Sequence, residues 1–216
     1  MDFMKIIQSL EQLLYELMVW LVFYPLTLFK ATFHPLRLMD YADDELGDAD
    51  ADRYSDTLSP PIFLAITLGL VHFVEMAGGW NLETDGLLAD DTNLIAFRLV
   101  AFALFPLMLS LRLLRRKRIA LDRKSLRLPF YSQCFVAAPF ALGIDVATVL
   151  SAGGADVGVA LGVAGASILW YLGVQTMWFR QNLSQGWVWA LGNALRGFLE
   201  ATFICFLMAM AVEVMR

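Results

Sequence analysis

The chain has 216 residues, of which 59% are hydrophobic and only 17% are charged, and its formal net charge is −5. A soluble domain is usually about half apolar and a quarter charged, so this composition excludes an ordinary water-soluble globule. It predicts an all-α integral membrane bundle of about five transmembrane helices, preceded by an N-terminal amphipathic or half-inserted helix.

The first predicted segment covers residues 1–39 and begins with an amphipathic helix. Apolar residues recur at helical spacing along one face, at Phe3, Ile6, Ile7, Leu10, Leu13, Leu14, Leu17 and Met18. The stretch Leu17–Phe29 is then apolar all round, but thirteen residues reach only about 20 Å, less than a bilayer core. Glu11 and Glu16 make a longer span costly and also argue against a signal peptide. An interfacial or half-inserted helix is therefore preferred, with a true crossing by residues 10–29 as the alternative.

A polar segment over residues 40–60 follows, and we expect it to be an acidic cytoplasmic linker. Its acidic residues are Asp40, Asp43, Asp44, Glu45, Asp48, Asp50, Asp52 and Asp56. The alternating acids of Asp48–Asp52 match the opening of a calcium loop, but Arg53 replaces the required glycine and Ser59 the required final acid. We interpret the segment as a solvated linker, or as one that lies against basic residues on the same membrane face.

Five further stretches, within residues 61–216, meet the length of roughly 20 apolar residues that a bilayer core requires. The predicted spans are Pro61–Gly79, Asn93–Leu114, Pro129–Ser151, Gly154–Trp178 and Phe198–Met215. Pro106 and Pro139 lie inside the second and third spans, and we expect each to kink its helix.

Basic residues predict the orientation of these spans. Half of the 16 Lys and Arg residues lie in the segment 112–127, and an excess of Lys and Arg marks cytoplasmic loops. This loop is therefore expected in the cytoplasm and the acidic connection 80–92 on the opposite side. The localisation predicted is a multi-pass protein of the bacterial inner membrane.

Few ionisable residues fall within the predicted spans, and each is a candidate functional residue for that reason. In the outer half of the bundle they are His72, Glu75, Arg98, Asp145 and Glu213. His72 and Glu75 share one helix face, and we expect Glu75 to pair with Arg98 across neighbouring helices. Two interpretations stay open, a proton or ion relay and an ion pair that specifies packing. A smaller polar contact is predicted on the inner side, from Gln133, Gln175 and Glu200.

Small residues recur every four positions in the fourth predicted span. Gly154, Gly158 and Gly162 lie on one helix face and are continued by Ala166. Such a face lets helix backbones approach closely in lipid. We expect it to serve helix packing within the chain, with self-association through Gly158 and Gly162 as the alternative.

Arrangements typical of catalysis do not occur in the sequence. The chain has two histidines and no HExxH or G-x-S-x-G motif. Cys134 and Cys205 are isolated in apolar spans, where cysteine behaves as a small hydrophobic residue. We therefore predict a protein that is not an enzyme and has no cofactor, no metal site and no nucleic-acid partner, with the lipid bilayer as its surroundings.

The order of segments resembles that of a known family. An apolar helix ending in the step from Pro25 to Phe29 within FYPLTLFKATFHP is followed by a polar linker and five spans with a basic cytoplasmic loop. This is similar to the bacterial branch of the Ypt-interacting-protein (YIP) family, five-pass membrane proteins with a cytoplasmic N-terminus. The Asp-Leu-Tyr-Gly-Pro signature of eukaryotic members does not occur here. The resemblance implies no catalytic residues, and a permease without a defined substrate.

Two function classes follow from these observations. The first is a non-catalytic scaffold or interaction protein, because polar groups within the spans are few. The second is a small permease or channel subunit, which would work as an oligomer because five spans rarely enclose a pathway alone.

Overall fold

The computed structural model describes residues 3–45, 54, 57–80 and 90–214. Within these ranges the regular elements are all helices: α1 (Phe3–Phe33), α2 (Pro35–Glu45), α3 (Pro60–Gly78), α4 (Asp91–Lys117), α5 (Arg123–Ala152), α6 (Val157–Leu183) and α7 (Trp187–Val214). All except the short α2 contain a stretch long and apolar enough to span a membrane. The predicted all-α membrane bundle is confirmed, with six helices of spanning length instead of five.

Helix α5 lies at the centre of the bundle and contacts α1, α2, α3, α4 and α6. All its residues from Ser132 to Ala138 are buried, so every face of the helix is covered there. Helix α7 packs against α4 and α6. Large aromatic side chains fill the space between α4, α5 and α6, where the rings of Phe140 and Tyr171 stack with their centroids 4.5 Å apart.

Helix α1 is longer than the sequence predicted. It continues through Pro25 to Phe33 without a break, and Ile7–Phe33 has the length and hydropathy of a membrane span. The apolar stretch Leu17–Phe29 is thus the middle of a longer helix, which continues on both sides of Pro25; helices in lipid tolerate an internal proline. The length of α1 therefore no longer favours a half-inserted helix over a full crossing. Residues 7–18 are exposed throughout, whereas Thr27 and Ala31 are fully buried.

The predicted boundary between residues 39 and 40 falls inside a helix and is wrong. Helix α2 continues to Glu45, and its buried Leu38, Met39 and Ala42 pack into the bundle. The helix has an apolar face that packs into the bundle, whereas the acidic residues on its other face led to the prediction of a linker from residue 40. The alternating acids of Asp48–Asp52 lie outside the described residues.

The predicted basic loop is mostly helical. Its two ends form the last turns of α4 and the first turns of α5, which leaves only residues 118–122 as the connection. Asp122 caps α5, since its carboxylate accepts hydrogen bonds from the amides of Lys124 and Ser125 at 2.8 and 2.7 Å. The bond from the Ser125 amide is the main reason that the pKa of Asp122 lies below its ordinary value.

The last two predicted spans differ from the helices at their starts. Helix α6 begins at Val157, so Gly154 lies in the preceding turn with a φ of 80°. Helix α7 begins at Trp187 instead of Phe198 and includes the polar residues between them. Pro106 and Pro139 lie within α4 and α5, which continue past them; the kinks stay predictions.

Candidate functional site

A buried ion pair joins the last turn of α3 to the second turn of α4. One guanidinium nitrogen of Arg98 (Nη1) donates to Glu75 Oε2 at 2.6 Å, and the other (Nη2) donates to Glu75 Oε1 at 3.1 Å. Glu75 is 3% exposed and Arg98 8%. The two parallel bonds form a bidentate contact, the strongest arrangement of this kind. The Glu75–Arg98 pair predicted from the sequence is confirmed.

His72 lies one helical turn before Glu75 and is only 5% exposed. Its Nδ1 is 3.9 Å from Glu75 Oε2, and its Nε2 is 3.8 Å from Oδ1 of Asp91, whose side chain is 60% exposed. Both distances exceed a hydrogen bond, and neither ring nitrogen has a hydrogen-bond partner among the described residues. The imidazole thus lies between a solvent-facing carboxylate and the buried pair.

Asp145 brings α5 into the same cluster. It is 5% exposed, and it is close enough to Arg98 and Glu75 for both charges to act on its carboxylate. Its Oδ2 is buried without a hydrogen-bond partner in the described part of the chain. Glu213, the fifth residue predicted for this group, lies exposed near the end of α7 and takes no part in these contacts.

The cluster has one more acid than it has permanent base. The Arg98 guanidinium pairs with Glu75, and the Asp145 carboxylate lies near that pair without a recorded hydrogen bond to it. The group of His72, Glu75, Arg98 and Asp145 thus combines two carboxylates, one guanidinium and one imidazole, all buried, on α3, α4 and α5. It forms no cluster of three or more potential metal ligands in the described residues.

Polar contacts away from this cluster also join helices. The amides of Gln133 in α5 and Gln175 in α6 bond reciprocally at 2.8 and 2.7 Å, and both side chains are fully buried. This part of the predicted inner contact is confirmed. Glu200 contacts Arg196 and Arg112 instead, at 2.9 and 3.6 Å.

Asn193 is a buried polar residue that sequence reasoning missed. Its side-chain oxygen accepts from Nε of Arg112 at 3.1 Å and from Nε of Arg116 at 3.0 Å, which ties α7 to the basic end of α4. Asn193 Nδ2 also donates to the side-chain oxygen of Gln185, just before α7, at 3.3 Å, and the polar character of these two residues was the signal available in the sequence.

The glycines of the predicted packing face do not pack within the chain. An added Cβ atom at Gly162 would meet nothing within 4 Å, and at Gly158 it would meet only the neighbouring Asp156. Gly154 lies in a turn. Packing within the chain through these residues is therefore wrong, because the face they form points away from the bundle. The close helix contacts are made by Gly143 of α5 against Ser167, and by Gly197 of α7 against Leu109.

A groove of about 960 Å³ lies between α4 and α5, away from the polar cluster, and its lining includes Leu104, Leu107 and Arg127. Comparison with protein-family models, with curated proteins and with solved structures finds no match for this chain.

Proposed function

We propose that this chain is a non-catalytic multi-pass membrane protein with a scaffold or interaction role. The five helices α3–α7 follow the order of the YIP-like family, in the bacterial inner membrane with segment 112–127 in the cytoplasm. The observation that carries the proposal is that buried polar side chains contact one another across helices. Glu75 with Arg98 and Gln133 with Gln175 each join two neighbouring helices. Contacts of this kind glue helices together in lipid.

The outward face of α6 supports a second copy of the chain as an interaction partner. At Gly162, Gly165 and Gly173 an added Cβ atom would meet nothing within 4 Å. Exposed small residues on a helix let another backbone approach closely. The scaffold is therefore proposed to self-associate through Gly158 and Gly162.

Self-association is tested by single-molecule photobleaching of labelled protein reconstituted at decreasing protein-to-lipid ratios. We expect the double variant Gly158→Leu/Gly162→Leu to weaken dimerisation about tenfold, equivalent to about 1.4 kcal/mol, because larger side chains separate the backbones. The matched control is Val157→Leu/Val159→Leu, on exposed positions of the same helix. Equal behaviour of the two variants would contradict this interface.

The second candidate function is a small permease or channel subunit that works as an oligomer. It is favoured by His72 and Asp145, whose buried polar atoms have no hydrogen-bond partner among the described residues. A buried polar atom without a partner is costly, and such a cost is often retained where a group binds or transfers something.

Proton flux into liposomes separates the two functions. With a trapped pH-sensitive dye and an imposed potential, the scaffold predicts the same rate with wild-type protein as with protein-free liposomes. The permease predicts a flux that Asp145→Asn removes and that Glu213→Gln, outside the cluster, retains.

A further inference from the structure

The groove between α4 and α5 is apolar along most of its length and basic at one end. Val100, Ala103, Leu104 and Leu107 of α4 line the apolar part. Arg123, Lys124 and Arg127 of α5 line the other end, together with Tyr131. We propose that this groove binds one anionic phospholipid, with the phosphate at the three basic side chains and an acyl chain along α4.

The groove extends from the basic ends of α4 and α5 past the middle of the predicted membrane spans. Leu107 and Val100 lie ten and seventeen residues before the end of α4 at Lys117, which places them about 15 and 25 Å from that end. The hydrocarbon core is about 30 Å thick, so these residues of α4 lie near its centre and beyond, and Leu126 and Phe130 of α5 line the groove between them and the basic end. An acyl chain that enters beside Arg127 therefore has apolar contacts along its length.

The basic end is available for an anion. Arg123, Lys124 and Arg127 are exposed, and none of them forms an ion pair with a residue that the structure describes. Asp122 is the acidic neighbour, and its carboxylate acts on Lys124 but is engaged by the amides at the start of α5. The guanidinium of Arg127 lies 5.3 Å from the ring centroid of Tyr131, which holds it at the groove.

Charge and shape together favour a phospholipid over other occupants. Basic pockets between membrane helices on one face of the bilayer bind the headgroups of anionic lipids. A soluble phosphate would use only the basic end, and an apolar helix of another protein would use only the apolar part. A phospholipid uses both.

Native mass spectrometry of the full chain in a mixture of equal parts phosphatidylglycerol and phosphatidylcholine tests this proposal. We expect wild-type protein to retain one phosphatidylglycerol in preference to phosphatidylcholine. The variant Lys124→Gln/Arg127→Gln should reduce that preference roughly 25-fold, at about fivefold for each charge removed. The matched control Arg115→Gln/Arg118→Gln removes two exposed charges that do not line the groove, and it should retain the lipid.

Two further variants separate charge from shape and from folding. The charge-conserving variant Lys124→Arg/Arg127→Lys should retain the lipid. Ala103→Phe should displace it by filling the apolar part without changing the charge, whereas Ala209→Phe on the exposed face of α7 should not.

Three outcomes would overturn the proposal. An equal loss of the preference for phosphatidylglycerol in the two glutamine variants would mean that the basic ends of the helices attract anionic lipid in general and that the groove has no part in binding. Thermal stabilisation by glycerol 3-phosphate as large as that by phosphatidylglycerol would mean an anion site alone. A change in oligomeric state with Ala103→Phe, without loss of lipid, would mean that a second copy occupies the groove.

Discussion

At the scale of single residues, the Glu75–Arg98 pair makes a clear prediction about stability. Removing one partner leaves the other charge buried without compensation, so Glu75→Gln and Arg98→Gln should each lower the free energy of unfolding by about 3 kcal/mol. The double variant should recover part of that loss, because neither charge then remains. The measurement is thermal unfolding in detergent at fixed protein concentration.

The exposed pair of Arg196 and Glu200 serves as a control for this prediction. Their 2.9 Å contact links neighbouring turns of α7, and the side chain of Arg196 is 69% exposed. Arg196→Gln should therefore cost about 0.5 kcal/mol or less. If the losses of the two buried single variants simply add in the double variant, the bidentate pair contributes no coupling.

Residue spacing predicted some of the buried polar contacts but could not predict all of them. A separation of three places His72 and Glu75 on one helix face, and consecutive helices bring Arg98 beside them. Asn193 escaped prediction because its partners Arg112 and Arg116 lie 81 and 77 residues away. Only the packing of α7 on α4 brings these side chains together.

At the scale of helices, the glycines differ in what an added methyl group would meet. Gly143→Ala would place its Cβ atom against the side chain of Ser167, so this variant should be less stable by about 1–3 kcal/mol. Gly162→Ala should be neutral or stabilising for the monomer, because alanine favours a helix by about 1 kcal/mol and the space beside Gly162 is open. Denaturant unfolding of monomers in detergent measures both.

A compensating change checks the origin of the Gly143 effect. Ser167→Gly removes the side chain that the new methyl group meets, so Gly143→Ala/Ser167→Gly should be more stable than Gly143→Ala. A double variant no more stable than Gly143→Ala would show that the contact between α5 and α6 is not its cause.

The spacing of the glycines in α6 did not predict where they pack, for a physical reason. Regular spacing reveals that residues share a helix face, but it does not reveal which way the face points. In α6 the face with Gly158 and Gly162 points outward. The tight contacts use Gly143 and Gly197 instead, and Gly197 shares its face of α7 with the buried Ala190, Ala194 and Ala201.

At the scale of the whole molecule, six helices of spanning length predict on which side of the membrane each connecting segment lies. In a variant with Cys134 and Cys205 replaced by alanine, single cysteines are labelled in intact cells with a membrane-impermeant reagent. Arg115→Cys and Gly186→Cys should be protected and Ala152→Cys should react, because basic ends face the cytoplasm. If α1 crosses, as its length favours, Gln8→Cys should react as well.

The labelling pattern distinguishes three arrangements. Protection of Gln8→Cys alone would return α1 to the membrane surface and restore the five-pass order of the YIP-like family. A reversal at the other three positions would contradict the orientation.

Composition predicted the membrane bundle well because lipid-facing surface requires apolar residues. The number of crossings was harder to predict, because it depended on how far α1 extends beyond the apolar stretch Leu17–Phe29.

The chain separation of each polar contact has a consequence for synthesis. Helices leave the ribosome in order, at roughly 5–20 residues per second. The Glu75–Arg98 pair spans 23 residues between consecutive helices, so both charges can enter the bilayer as one neutral hairpin within roughly 1–5 s. Gln175 is translated 42 residues after Gln133, which takes roughly 2–8 s. An uncharged amide, however, costs less to leave unpaired in lipid than a charge does. The longest of these three separations is the 81 residues between Arg112 and Asn193. Arg112 lies near the end of α4, close to the exposed Arg115. Of these three contacts, the buried ion pair is thus the one whose two partners are translated closest together.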